Sequence, residues 1–74
     1  DAMLIPLDKV KPAYIFEFKV SKTIKALNAK AEEALEQIKE KQYDVGLKDL
    51  GITKIYRIGI AFKGKNVKVK YEII

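Results

Sequence analysis

The sequence predicts an α+β domain built on a mixed sheet, and three observations carry that expectation. Two stretches alternate side-chain character with the period of a β-strand, and a third repeats apolar residues with the period of a helix. The helical stretch lies between the strand pairs, which sets the order ββαβ followed by one terminal strand.

Ala2 to Leu7 is a short apolar run, Asp8 to Pro12 carries turn residues, and Ala13 to Val20 is rich in aromatic and β-branched side chains. The chain thus opens on a predicted hairpin. In its second strand Tyr14, Phe16, Phe18 and Val20 share one face, while Ala13, Ile15, Glu17 and Lys19 share the other, because successive side chains alternate sides. A charged pair ends an otherwise apolar face.

From Ile24 to Lys41 the apolar residues Ile24, Leu27, Ala31, Ala34, Leu35 and Ile38 recur at helical spacing among charged ones, the pattern of an amphipathic helix. Glu32, Glu36 and Glu40 fall on its solvent side, with Glu36 and Glu40 in reach of lysines. Ser21 or Thr23 is placed to cap its start, and Asp44 to cap a brief second helix that runs to Leu50 and ends at Gly51.

Thr53 to Phe62 is β-rich, and Lys63 to Lys65, with Gly64 between them, supplies a turn. Val67, Val69, Tyr71 and Ile73 then alternate with Lys68, Lys70 and Glu72, as expected of a lysine-protected edge strand that closes a second hairpin. The chain carries no internal repeat and no low-complexity segment.

At 74 residues the chain makes one small domain, and its 49% hydrophobic and 34% charged residues are those of a folded one. It begins at Asp1, without methionine and inside a predicted strand, so the expectation is a single core domain over 1–74 cut from a longer protein. No apolar stretch approaches the roughly 18 to 20 residues that span a bilayer, no signal-peptide pattern opens the chain, and cysteine is absent, so we expect a cytoplasmic protein without a membrane partner. With neither cysteine nor histidine, thiol nucleophiles, disulfides, histidine-based triads and zinc-type sites drop out. Carboxylates, lysines, hydroxyls and the backbone remain. Fourteen lysines and one arginine, Arg57, leave a net charge of +5, which favours a polyanionic partner through counterion release. The same lysines equally suit solvated helix faces and blunted strand edges.

If the first hairpin closes with Leu7 opposite Ala13, Asp1 faces Lys19 and Met3 faces Glu17. Asp1 and Glu17 then become diagonal neighbours on one face, with Cβ atoms roughly 5 to 8 Å apart and Lys19 beside them. Two carboxylates, a main-chain carbonyl such as that of Phe18, and water suit Mg²⁺ or Mn²⁺. Such an ion polarises a phosphoryl oxygen and acidifies a water, while the ammonium orients the nucleophile or stabilises developing charge: the chemistry of phosphodiester hydrolysis. Placing a Glu and a Lys at the end of an apolar central strand is costly unless they are paired or hold a metal.

Three segments carry a family resemblance: Pro12-Ala13-Tyr14-Ile15-Phe16-Glu17-Phe18-Lys19-Val20, the helical stretch Ala34-Leu35-Glu36-Gln37-Ile38-Lys39-Glu40-Lys41-Gln42-Tyr43, and Ile58-Gly59-Ile60-Ala61-Phe62-Lys63-Gly64-Lys65. Together they resemble the PD-(D/E)xK nuclease domain found C-terminal to AAA-ATPase-like domains in bacteria and archaea. The resemblance implies a restriction-endonuclease-like core, a nucleic-acid substrate, most readily DNA, and an ATPase-like domain upstream in the parent chain. It implies metal binding by Asp1 and Glu17 and catalysis by Lys19. Gln37, with Tyr43 after it, resembles the glutamine and tyrosine motif on the following helix of RecB-type nucleases, which implies a site role for Gln37. The Gly-Arg-x-Asp context of the first motif and the helix preceding it are missing from this sequence.

Two further readings compete with a nuclease. One is a noncatalytic module that keeps the fold and uses Lys63, Lys65, Lys68 and Lys70 to hold nucleic acid or a protein; the other is a structural appendage to an upstream ATPase-like region. The chain itself has no Gly-x-x-x-x-Gly-Lys-Ser/Thr loop. Lys22, Lys25 and Lys30 are candidates to follow a phosphate backbone. Tyr14, Phe16, Phe18, Tyr56, Phe62 and Tyr71 are assigned to core packing rather than base stacking.

Overall fold

The structure, a computed structural model, describes residues 2–74, so Asp1 lies outside the described residues. Six elements follow one another: β1 (Ala2–Leu4), β2 (Ala13–Val20), α1 (Leu27–Lys41), α2 (Tyr43–Asp49), β3 (Ile55–Lys63) and β4 (Asn66–Ile73). The strands form one mixed sheet in the order β1-β2-β3-β4, with β2 and β3 parallel and both outer pairs antiparallel. A parallel pair needs a crossover connection, and the two helices provide it. The expected α+β architecture is therefore present, with β4 at a sheet edge.

β1 is shorter than its apolar run suggested. Its pairing ends at Leu4 opposite Tyr14, and Met3 faces Ile15 rather than Glu17, so the register assumed from Leu7 and Ala13 is corrected by two residues. Proline has no N–H to give a ladder, and Pro6 and Pro12 confine pairing to the residues outside them. Leu7 is fully exposed, and Asp8 closes a tight turn by accepting the N–H of Val10 through Oδ1 and that of Lys11 through its carbonyl. A shift of two residues keeps every side chain on its own face.

α1 begins at Leu27, and Ile24 sits exposed in the turn before it. Thr23 and Ser21 shape that turn instead of capping the helix directly: Thr23 Oγ1 accepts the N–H of Ala26 at 3.1 Å, and Ser21 Oγ donates to the Thr23 carbonyl at 2.6 Å. Leu27, Ala31, Ala34 and Ile38 form the buried stripe. Gln42, at φ 55°, turns the chain through a left-handed residue into α2. Asp44 consequently lies in the first turn of α2 rather than at its cap, and pairs with Arg57 at 3.2 Å. Gly51, at φ 93°, follows that helix as expected, and Gly64, at φ 58°, takes the first central position of the two-residue turn between Lys63 and Asn66.

Among the described residues, helices cover only one face of the sheet. α1 lies over the face bearing Ala13, Ile15, Glu17 and Lys19 of β2, where Ala13, Ile15, Ile38, Leu47, Ile52 and Ile55 make one buried cluster and Leu27, Ala31 and Ala61 another. Between the clusters the helix meets Gly59 so closely that a Cβ there would strike the Ala31 carbonyl oxygen and come within 2.7 Å of the Leu35 nitrogen. A helix is about 10 Å wide, narrower than four strands spaced about 4.8 Å apart, so charged side chains on this face reach up past its flanks. Lys39 pairs with Glu72 and Lys70 with Glu32 on the β4 side.

The opposite face corrects the assignment of the aromatics to a covered core. Tyr14 stacks on Phe16 and on Tyr56, and Phe16 on Phe18, yet no described element lies over them. Phe18 and Tyr71 remain 48% and 63% exposed, and Val67, Val69 and Ile73 are also exposed. The apolar side of β4 is thus its open side, and its lysine-rich side is the one next to α1.

Candidate active site

Pairing across the sheet organises the site into rows. Glu17 lies opposite Gly59, which lies opposite Lys70; one step further, Lys19 lies opposite Ala61 and Lys68. Alternation along β2 puts both Glu17 and Lys19 on the α1 face, as the sequence predicts. Glu17 is 8% exposed, and the small neighbour Gly59 lets the helix close down beside it.

The side of α1 nearest β2 presents Lys30, Glu33, Gln37 and Lys41, residues three and four apart that stand one above another. Two of them fix the strand's charged pair. Lys41 Nζ donates to Glu17 Oε1 at 3.1 Å, and Lys19 Nζ stands 3.8 Å from Glu33 Oε1. Helix and strand therefore match charge for charge, each ion of the Glu-x-Lys pair having an opposite ion above it. Gln37 is half-buried and lies one turn from both Glu33 and Lys41, so the same flank carries it toward the Glu17 and Lys19 rows. Tyr43 stands beyond the left-handed Gln42, packed against the larger core cluster, with Lys41 Nζ 6.0 Å from its ring centroid.

Lys30 bonds Glu33 at 3.2 Å, and this bond and its positive charge hold the Glu33 carboxyl below its ordinary value; Lys19 adds to the shift. That lowering favours the carboxylate form of Glu33, the form that pairs with Lys19.

The Phe18 carbonyl follows from strand geometry. Ala13 and Ser21 donate their N–H groups toward β3, to Lys54 and Phe62, so odd-numbered residues of β2 address β3 and even-numbered ones address β1. Among the described residues the β1 ladder ends where Ala2 meets Phe16. The Phe18 carbonyl points to that side, two residues past the last pair, with Glu17 next to it in sequence.

These groups fit a hard divalent cation. Among the described residues no three carboxylates gather, and Mg²⁺ is ordinarily held by one or two carboxylates with water completing its shell. Glu17 and the Phe18 carbonyl are oxygen donors of the kind such an ion takes; Asp1, the further donor expected from the sequence, lies outside the described residues. Sequence reasoning missed Glu33 and Lys41, although the stripe they share with Gln37 marked both for the same flank.

Basic residues distant in sequence meet at one end of the sheet. Val20 lies opposite Phe62, so Lys22 and Lys25 after β2 come to the same end as Lys63 and Lys65 at the β3–β4 turn, with Lys68 in the row of Lys19. No helix of the described residues is long and apolar enough to cross a membrane. Neither a curated protein nor a solved structure matches the chain. The family model of the PD-(D/E)XK nuclease superfamily does match, over residues 1–72, which takes in every strand and both helices except the last residue of β4. With its mixed sheet and its Glu-x-Lys pair on the central strand, the chain belongs to the PD-(D/E)XK nuclease superfamily.

Proposed function

We propose that this chain provides a metal-dependent centre for hydrolysing nucleic-acid phosphodiester bonds, with DNA as substrate. The observation that carries the proposal is Glu17, a carboxylate buried to 8% exposure and next in sequence to the Phe18 carbonyl, which faces past the last described pair of the β1 ladder. Superfamily membership makes this a nuclease-type domain, and such nucleases generally use divalent metals. Asp1, Glu17 and the Phe18 carbonyl are the proposed ligands of Mg²⁺ or Mn²⁺. When bound, the ion supplies Lewis-acid polarisation of a phosphoryl oxygen and a more acidic water.

The chain's own residues do the rest. Lys19 is held loosely, at 3.8 Å from Glu33, and its ammonium can turn to a phosphate oxygen or the attacking water. Gln37, on the flank between Glu33 and Lys41, offers an amide to orient that water. Burial under α1 keeps bulk solvent from Glu17, which strengthens each of these charge interactions. The proposed setting is the cytoplasm, downstream of an ATPase-like domain of the parent chain.

The lysines gathered at the carboxyl ends of β2 and β3 are proposed to carry the phosphate backbone. Replacing Lys22, Lys25, Lys63 and Lys65 together with alanine is expected to weaken DNA binding and to reduce the slope of log affinity against log salt by about 1 for each phosphate no longer neutralised. An unchanged slope in fluorescence-anisotropy titrations assigns these lysines to solubility alone.

A second reading, a noncatalytic binding module, draws on the pairing of both Glu17 and Lys19 with helix residues. Amide NMR during a Mn²⁺ titration separates the two. Broadening confined to the neighbourhood of Glu17, Phe18 and Lys19 is expected for the nuclease centre; uniform or absent broadening overturns it in favour of the binding module.

A further inference from the structure

The ammonium of Lys41 occupies one oxygen of the carboxylate proposed to hold the metal. Its Nζ lies 3.1 Å from Glu17 Oε1, with Glu17's side chain 10% exposed and that of Lys41 40% exposed. The lysine is anchored at its backbone, and its side chain reaches the surface. It is the last residue of α1, where a cation also complements the carboxyl end of the helix, and the left-handed Gln42 after it donates its N–H back to Lys39 at 3.2 Å. Lys19, the lysine of the Glu-x-Lys pair, is directed instead to Glu33. Two lysines therefore serve the site, and the one touching Glu17 comes from the helix.

We propose that Lys41 is a tethered counter-cation that competes with the divalent ion for Glu17. In the metal-free protein it neutralises a buried carboxylate that would otherwise be costly to keep charged. A divalent ion held by Glu17 would repel the ammonium, and the flexible stem of Lys41 would let it swing toward solvent. Lys41 thereby sets how tightly the metal is held. The proposal rests on the metal-centre reading of Glu17.

The test measures Mn²⁺ affinity of the 74-residue chain by calorimetry for the wild type, Lys41→Met and Glu17→Gln, with Lys41→Gln as a second neutral variant. Removing the competing charge is expected to tighten Mn²⁺ binding by about tenfold, the low end of what a group beside a metal ligand contributes, while Glu17→Gln abolishes binding. In the wild type, Mg²⁺ is also expected to shift the ε-methylene NMR signals of Lys41, a change that a merely structural lysine would not show. Unchanged or weaker Mn²⁺ binding in both Lys41 variants, with wild-type binding intact, overturns the role of Lys41 alone. Failure of the wild type and both Lys41 variants to bind Mn²⁺ overturns the metal-centre reading and this inference with it.

Discussion

Glu17→Gln is expected to reduce metal-dependent cleavage of DNA by at least about 100-fold, the scale on which one preorganised charge-stabilising group acts. The substitution keeps the shape of the side chain but removes the anion, so it separates charge from packing. The side chain of Lys41, 40% exposed, keeps its access to water when Glu17 loses its charge, so the thermal unfolding midpoint should change little. DNA affinity measured without metal should be equal or higher, because a negative charge has been removed from beside the basic end of the sheet. The decisive assay follows cleavage of a labelled DNA with Mg²⁺ and with chelator, alongside unfolding of each variant. A variant that cleaves at the wild-type rate would remove Glu17 from the mechanism. Wild-type cleavage that survives chelation would remove the metal.

The largest effect on stability is expected from Gly59→Ala. Gly59 sits in the middle of β3 between Glu17 and Lys70, and an added Cβ would meet the Ala31 carbonyl oxygen, the Leu35 nitrogen at 2.7 Å and the Ala34 Cβ at 3.1 Å. Two of those three atoms are helix backbone, which cannot rotate away as a side-chain tip does. α1 must therefore lift from the sheet. Overpacking of this kind costs about 1–3 kcal/mol, occasionally more, against a gain of roughly 0.5–1 kcal/mol from the lower freedom of alanine in the unfolded chain. The net loss is a sizeable part of the stability of so small a domain. The same lift carries Glu33, Gln37 and Lys41 away from the Glu17 and Lys19 rows, so Mn²⁺ affinity should change along with stability. Urea unfolding decides the matter: a midpoint equal to or above that of the wild type would show that helix and strand have room to spare.

How much of this was legible beforehand differs from element to element. Period-two alternation placed Glu17 and Lys19 on one face of β2 and identified β4 as a strand with a lysine-rich side. Helical spacing found Leu27, Ala31, Ala34 and Ile38, the four buried residues of α1. Gly64 marked its turn because a positive φ favours a residue without a Cβ. The resemblance carried by the Glu-x-Lys segment and the helix after it agrees with the family match over residues 1–72. The aromatic face of β2 was legible as a face but not as an open one, since alternation distinguishes two sides without saying which side receives the helix.

The sequence by itself therefore determined the order and type of the elements and the sidedness of each strand, because these depend on backbone periodicity and on the chemistry of single side chains. Only the tertiary structure decided the register of β1 against β2, the covering of one sheet face and the partners of Glu17 and Lys19. Those depend on where α1 comes to rest, and α1 rests on Gly59, a strand residue remote in the chain from the Ala31 and Leu35 backbone it touches. A contact between backbones leaves no periodic trace in the residues that make it, yet it sets the height and lateral position of the helix, and with them the pairing of Lys41 with Glu17 and of Glu33 with Lys19.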